Sequence, residues 1–138
     1  MSQRWKEISD LVQRAIDSGV VRRAVSSGRY YREVFVSVPI DGILVGGFLD
    51  LLFEEADGLV IVDYKTDSLS GEDEIRQTTE RYRIHGGAYA LALDPSSGRP
   101  AKEVVFLFLQ PREEVVLKDM SMLHDEAGRS ILAVIDSD

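Results

Sequence analysis

The chain has 138 residues, a formal net charge of −8 and no cysteine. That length fits one domain with its own core, and the lack of thiols closes iron–sulfur, thiolate-zinc and disulfide readings. No run approaches the ~18 apolar residues of a membrane span and the N-terminus has no signal-peptide pattern, so a cytoplasmic protein without membrane contact is expected. The charge is uneven: residues 1–32 hold seven Lys/Arg against three Asp/Glu, and residues 33–138 hold nine against twenty-one. A basic section ahead of an acidic body suits local contact with a polyanion, and equally a solvated charged helix.

Residues 2–26 read as two helices. Trp5, Ile8, Leu11, Val12, Ala15 and Ile16 recur at steps of three and four, and Ser18-Gly19 is the break. Tyr30 to Ile40 alternates as a strand and ends at the turn-prone Asp41-Gly42. Two apolar, β-branched runs follow, Ile43–Phe53 and Leu59–Thr66, both expected to be buried on two sides. Glu72 to Leu93 is the long helix, with Ile75, Tyr82 and Tyr89 spaced by seven and Thr78, His85 and Ala92 on the same stripe. Gly86-Gly87 in its middle costs about 1 kcal/mol per glycine relative to alanine, which close approach to a sheet or ligand would explain. Residues 95–100 read as a loop, Glu103–Leu109 as a buried strand, Glu114–Leu117 as a short one, and Met120–Ile135 as a closing helix. No repeat or second domain is visible.

The chemistry concentrates in the hairpin. G-F-L-D (Gly47–Asp50) is followed twelve residues later by D-Y-K (Asp63–Lys65), and Asp57-Gly58 between them is a short-hairpin signal. With Asp57-Gly58 as the central turn residues, Asp50 falls opposite Lys65. With Ala56-Asp57 there, Asp50 falls opposite Asp63. Either way the period-two alternation puts Asp50, Asp63 and Lys65 on one face. A carboxylate buried inside apolar strands without a partner either protonates or finds a cation, and Lys65 can neutralise only one of the two. A divalent ion held by oxygen would satisfy the rest; an ordinary Asp–Lys pair with a solvated Asp50 is the bland alternative.

These motifs resemble the nuclease domain at the C-terminus of RecB- and AddA-type helicase–nucleases, in the PD-(D/E)XK superfamily. The resemblance spans nearly the whole chain, through REVFVSVPIDG (Arg32–Gly42), GFLDLLFEEADGLVIVDYKTD (Gly47–Asp67) and RYRIHGGAYALAL (Arg81–Leu93). It implies an α/β, restriction-endonuclease-like fold: a mixed central sheet with helices on both faces, in the order α-β-β-β-α-β-α. It implies that residues 1–138 form one domain, a C-terminal fragment of a larger helicase–nuclease. Asp50 and Asp63 would be ligands of Mg2+ (with Mn2+ substituting), completed by the Tyr64 backbone carbonyl, and Lys65 would act at the scissile phosphate. Tyr82, His85 and Tyr89 would line the DNA cleft. The implied activity is Mg2+-dependent DNA hydrolysis of the exodeoxyribonuclease type on single-stranded ends during double-strand-break repair. The implied partners are helicase domains of the same chain and a second subunit.

Two departures qualify that reading. His85 stands where the family has glutamine, and the family's metal-ligating histidine from an upstream helix has no counterpart, since no histidine precedes His85. Glu7, Asp10 and Glu33 are the acidic residues nearby that could substitute, each read as a surface or strand-edge group. A catalytically lapsed DNA-binding or structural module is therefore the alternative, and a nuclease acting on RNA or a mobile-element end is a weaker third reading. No Walker motif is present, so ATP hydrolysis would belong elsewhere in a parent protein. The isolated chain is expected to fold but to cleave poorly.

Overall fold

The computed structural model describes residues 3–40 and 42–136. Its elements run α1 (Gln3–Asp17), α2 (Gly19–Ser27), β1 (Tyr30–Ile40), β2 (Ile43–Glu55), β3 (Gly58–Lys65), α3 (Glu72–Ser97), β4 (Ala101–Phe108), β5 (Glu113–Leu117) and α4 (Met120–Asp136). Ser18 is the expected break: its hydroxyl accepts from the Val21 N–H and caps α2. The strands form one sheet in the order β1-β2-β3-β4-β5. All neighbours are antiparallel except β3 and β4, which are parallel and joined by α3.

The apolar runs are buried on two faces, as their composition demands. Leu59, Ile61, Val104, Phe106 and Phe108 point into a core under α3 and α4, with Ala90, Leu93 and Leu123. Val60, Val62, Val105 and Leu107 point into a second core under α2, with Val20 and Ala24. The mixed sheet covered on both sides is the α/β arrangement expected from the sequence. On α1, the stripe that marks the helix stays largely in water: Trp5, Ile8, Val12 and Ile16 are all exposed.

The glycine pair of α3 has the expected cause. A Cβ on Gly86 would meet Val104 Cγ1 at 3.0 Å and Phe106 Cζ at 3.1 Å, and one on Gly87 would collide with the Leu123 carbonyl oxygen. The first lets α3 settle on β4 and the second lets α4 settle on α3.

The end of α3 corrects an expectation. The helix does not stop at Leu93 before a 95–100 loop; it continues to Ser97, and Gly98 ends it with a left-handed φ of 70°. Of the two placements open to the hairpin turn, the one centred on Asp57-Gly58 is not adopted. Glu55 pairs with Gly58, which leaves Ala56-Asp57 at the tip. The Asp41-Gly42 turn lies partly outside the described residues.

Candidate active site

β2 and β3 separate in the middle of the sheet. Their ladder ends at Leu51 and Val62, while β2 remains paired to β1 as far as Ile43 and β3 remains paired to β4 as far as Lys65. Asp50 and Asp63 are the next residues past the last rung, one on each side of the gap. The carboxylate takes over where the ladder stops: Asp50 Oδ2 accepts the backbone N–H of Tyr64 at 2.8 Å.

The neighbouring strand is irregular at the same level. Glu33 has a left-handed φ of 53° and drops out of the β1–β2 ladder between Arg32–Leu51 and Val34–Leu49. The effect on β2 is visible in its burial. Leu49 belongs to the core under α3 and Leu51 to the core under α2, although regular alternation would put both on one face. Asp50 sits where the strand turns over. Glu33, Asp50, Arg32 and Tyr64 line a cleft of about 630 Å3.

The electrostatics follow from that position. Burial pushes the Asp50 carboxyl up to about 6; the facing Asp63 adds to the rise, and the Tyr64 N–H and Lys65 oppose it. Asp63 Oδ2 is 3.0 Å from Lys65 Nζ, both side chains being mostly buried. Lys65 Nζ also stands 3.6 Å from the centroid of the Tyr82 ring, and the Tyr82 hydroxyl donates to Asp67 Oδ2 at 3.2 Å. Tyr89 is held above its usual pKa by burial, then by the charges of Asp63 and Asp50. Tyr64 is raised for similar reasons, burial first and Asp50 second, with Arg32 opposing.

The structure therefore brings Asp50, Asp63, Lys65, Tyr64, Tyr82 and Tyr89 together. His85 lies exposed at the rim, its ring 5.5 Å from that of Tyr89. Glu7 and Asp10 are exposed on α1 and do not line the Asp50 cleft, while Glu33 is exposed yet lines it. Sequence reasoning missed Arg32 and Gly47. A Cβ on Gly47 would meet Tyr89 Cε1 at 3.1 Å, so the glycine of G-F-L-D is what seats the tyrosine. The basic N-terminal section is divided in its uses. Arg23 pairs with Glu55 and Glu103 and Arg14 donates to the Leu109 and Gln110 carbonyls. A larger cavity of about 920 Å3, partly walled by Arg22, Arg23, Arg29 and Arg99, lies at the opposite end of β2. Arg23 and Arg99 there are committed to carboxylates.

The residues can be tested for a divalent ion. Asp50, Asp63 and the Tyr64 peptide carbonyl are hard oxygen donors, which suit Mg2+ or Mn2+ rather than softer metals. A cation between the two carboxylates would relieve the repulsion that helps hold Asp50 partly protonated. Among the described residues no group of three His, Cys, Asp or Glu could hold an ion. Most of the coordination would fall to water and substrate phosphate, the arrangement Mg2+ favours. The donor set fits.

A family profile of the PD-(D/E)XK nuclease superfamily matches residues 3–136. The chain belongs to the PD-(D/E)XK nuclease superfamily. Asp63-Tyr64-Lys65 reads as its (D/E)-x-K, while Leu49 stands before Asp50 where the superfamily's name has proline. Among relatives, the chain is 35% identical over 107 residues to an ATP-dependent helicase/nuclease subunit of Thermoanaerobacter sp. (strain X514), a match covering 72% of this chain and 9% of that protein. It is 30% identical over 118 residues to the protein of the same name from Acetivibrio thermocellus, covering 73% and 9%. The chain thus spans about a tenth of the length of the relatives it matches. In fold it is similar to a solved structure from Eubacterium rectale named "Putative exonuclease", with a TM-score of 0.66 and 12% identity, covering 98% of this chain and 54% of that one. This superfamily likeness accords with the restriction-endonuclease-like architecture expected from the motifs.

Proposed function

We propose that this chain is a divalent-metal-dependent nuclease module that hydrolyses DNA phosphodiester bonds at single-stranded ends. In this reading Asp50 and Asp63 hold the ion, with the Tyr64 carbonyl beside them, and Lys65 is catalytic. The observation that carries it is the gap between β2 and β3, where two carboxylates and an ammonium converge among otherwise apolar strands. Bound Mg2+ would supply Lewis-acid polarisation of a phosphoryl oxygen.

The chain's own groups do the remainder. Lys65, beside Asp63, offsets the negative charge that develops on the phosphate. Tyr82 fixes that ammonium from its ring face, and Asp67 fixes Tyr82. Tyr89 walls the site on the α3 side and keeps bulk water from the carboxylates, while the opposite side opens into the cleft between Arg32 and Tyr64. The substrate enters from there.

The names of the relatives support placing this domain in a longer helicase–nuclease; we infer that this protein acts in double-strand-break repair in the cytoplasm. Its partners there are helicase domains of the same chain and one further subunit. A catalytically lapsed module of the same fold is the second reading. It draws on the 3.0 Å Asp63–Lys65 pair, in which each charge already answers the other. Incubating the chain with an end-labelled single-stranded oligonucleotide and Mg2+ or Mn2+ separates the two. Ion-dependent shortening by wild type and none by Asp63→Asn is expected. Cleavage that persists in Asp63→Asn would refute the assignment, and none from wild type with either ion would favour the lapsed module.

A further inference from the structure

We propose that the exposed ring pair of Phe35 and Phe48 is a stacking platform for unpaired bases of the strand that enters the Asp50 cleft. The proposal rests on the nuclease reading for the direction of that strand, and names what recognises it. Phe35 and Phe48 face each other across β1 and β2 with ring centroids 5.3 Å apart. They are 57% and 64% exposed. Helix α2 covers β2 at Leu51 and Phe53 but leaves Phe48 in water. Two aromatic rings exposed together on a regular strand pair mark a binding surface more than a chance of composition.

Position decides the occupant. Phe48 is two residues from Asp50 on β2, and Phe35 two residues from Glu33 on β1. Two residues of extended strand span about 7 Å, close to one extended nucleotide. A phosphate at Asp50 therefore brings its neighbouring base over the rings. Leu51, partner of Arg32, packs in the core under α2, whereas Leu49, next to Phe48, packs under α3. Arg32 and both phenylalanines thus share the α2 side of the sheet.

Arg32 lies beyond Asp50 from the rings, and among the described residues no acidic side chain forms an ion pair with it. Rings, carboxylate and cation follow one line: bases on Phe35 and Phe48, the reacting phosphate at Asp50, and the next phosphate at Arg32. Aromatic faces with a cation along the backbone are how single strands are held without sequence preference. A duplex cannot use the platform, because its base faces are already stacked on one another. The platform makes the site selective for single strands.

Affinity of the full chain for a fluorescent single-stranded oligonucleotide and for a blunt duplex of equal length, measured by anisotropy in EDTA, tests this without any cleavage. Wild type should prefer the single strand. Phe35→Leu/Phe48→Leu keeps apolar bulk and removes the aromatic faces; it should weaken single-strand binding at least about fivefold, leave duplex binding unchanged and melt with wild type. Single-strand affinity retained by the leucine variant would overturn the proposal and assign the patch to an apolar protein contact. Equal affinity of wild type for the two oligonucleotides, or binding to neither, would also overturn it. Failure of the nuclease reading would appear separately, as ion-independent or absent cleavage with single-strand binding intact.

Discussion

Tyr89 leans into the space that Gly47 leaves empty, so closely that a Cβ there would stand 3.1 Å from Cε1 of the ring. The contact ties the long helix to the β2 strand three residues before Asp50, and it sets the α3-side wall of the site. Gly47→Ala must therefore displace Tyr89 by a few tenths of an ångström or more. Cleavage should fall about tenfold or more, because misplacement near a reacting centre is costly, with a small loss of melting temperature. Truncating the ring in Gly47→Ala/Tyr89→Leu should give no further loss. Two fully additive losses would show that the glycine acts elsewhere.

Asp50 should make the ion-free protein more stable in mild acid. Its folded-state pKa, about 6, lies above the usual 3.8, so the folded state binds the proton more tightly. That contribution is fully present below the unfolded value and is lost as pH rises through about 6. In EDTA, Asp50→Asn should melt above wild type at pH 7.5, and the gap should narrow as pH falls below about 6 and close only near 3.8. Metal affinity runs the other way, weakening below about pH 6 as protons compete for the carboxylate. A gap independent of pH would contradict the burial argument.

The proposed site gives Lys65 two roles that ions can separate. Lys65→Met leaves Asp63 beside Asp50 without its 3.0 Å partner, so the ion-free protein should lose stability. Mn2+ should restore the melting temperature, since a cation again stands between the carboxylates, yet cleavage should remain undetectable. Recovery of cleavage along with stability would reduce Lys65 to an ion-pair partner.

Arg23 should matter for folding and not for chemistry. It joins Glu55 and the buried Glu103, and its guanidinium lies 5.5 Å from the Phe53 ring. Arg23→Met leaves Glu103 buried without its partner, at a cost of about 1–3 kcal/mol. Chemical denaturation should show that loss while the metal affinity of the folded protein stays unchanged.

Much of the site was legible because strand alternation is local. Asp63 and Lys65 share a face by spacing alone, and an even-length link brings Asp50 to them. The register was harder, since Asp57-Gly58 has the chemistry of a central turn. In the structure Gly58 serves a different contact: a Cβ there would meet the Pro100 carbonyl oxygen at 2.9 Å, while the Leu59 N–H donates to that same oxygen at 2.9 Å. The glycine answers Pro100, just ahead of β4 and forty-two positions away, and the turn moves back one position. Glu33 gave no warning of its left-handed backbone, because glutamate carries no local signal for it. Arg32 was hidden for the same reason, as its place at the cleft depends on that irregularity. The Gly47–Tyr89 contact joins residues forty-two positions apart, and no periodicity reports it.

The central claim is that Asp50 and Asp63 together hold one divalent ion, and calorimetric titration of the chain with Mn2+ at pH 7.5 tests it most directly. Wild type should show one site, with binding abolished in Asp50→Ala and in Asp63→Ala while both variants keep the wild-type fold by circular dichroism. Equal Mn2+ affinity in wild type and in both variants would contradict the account.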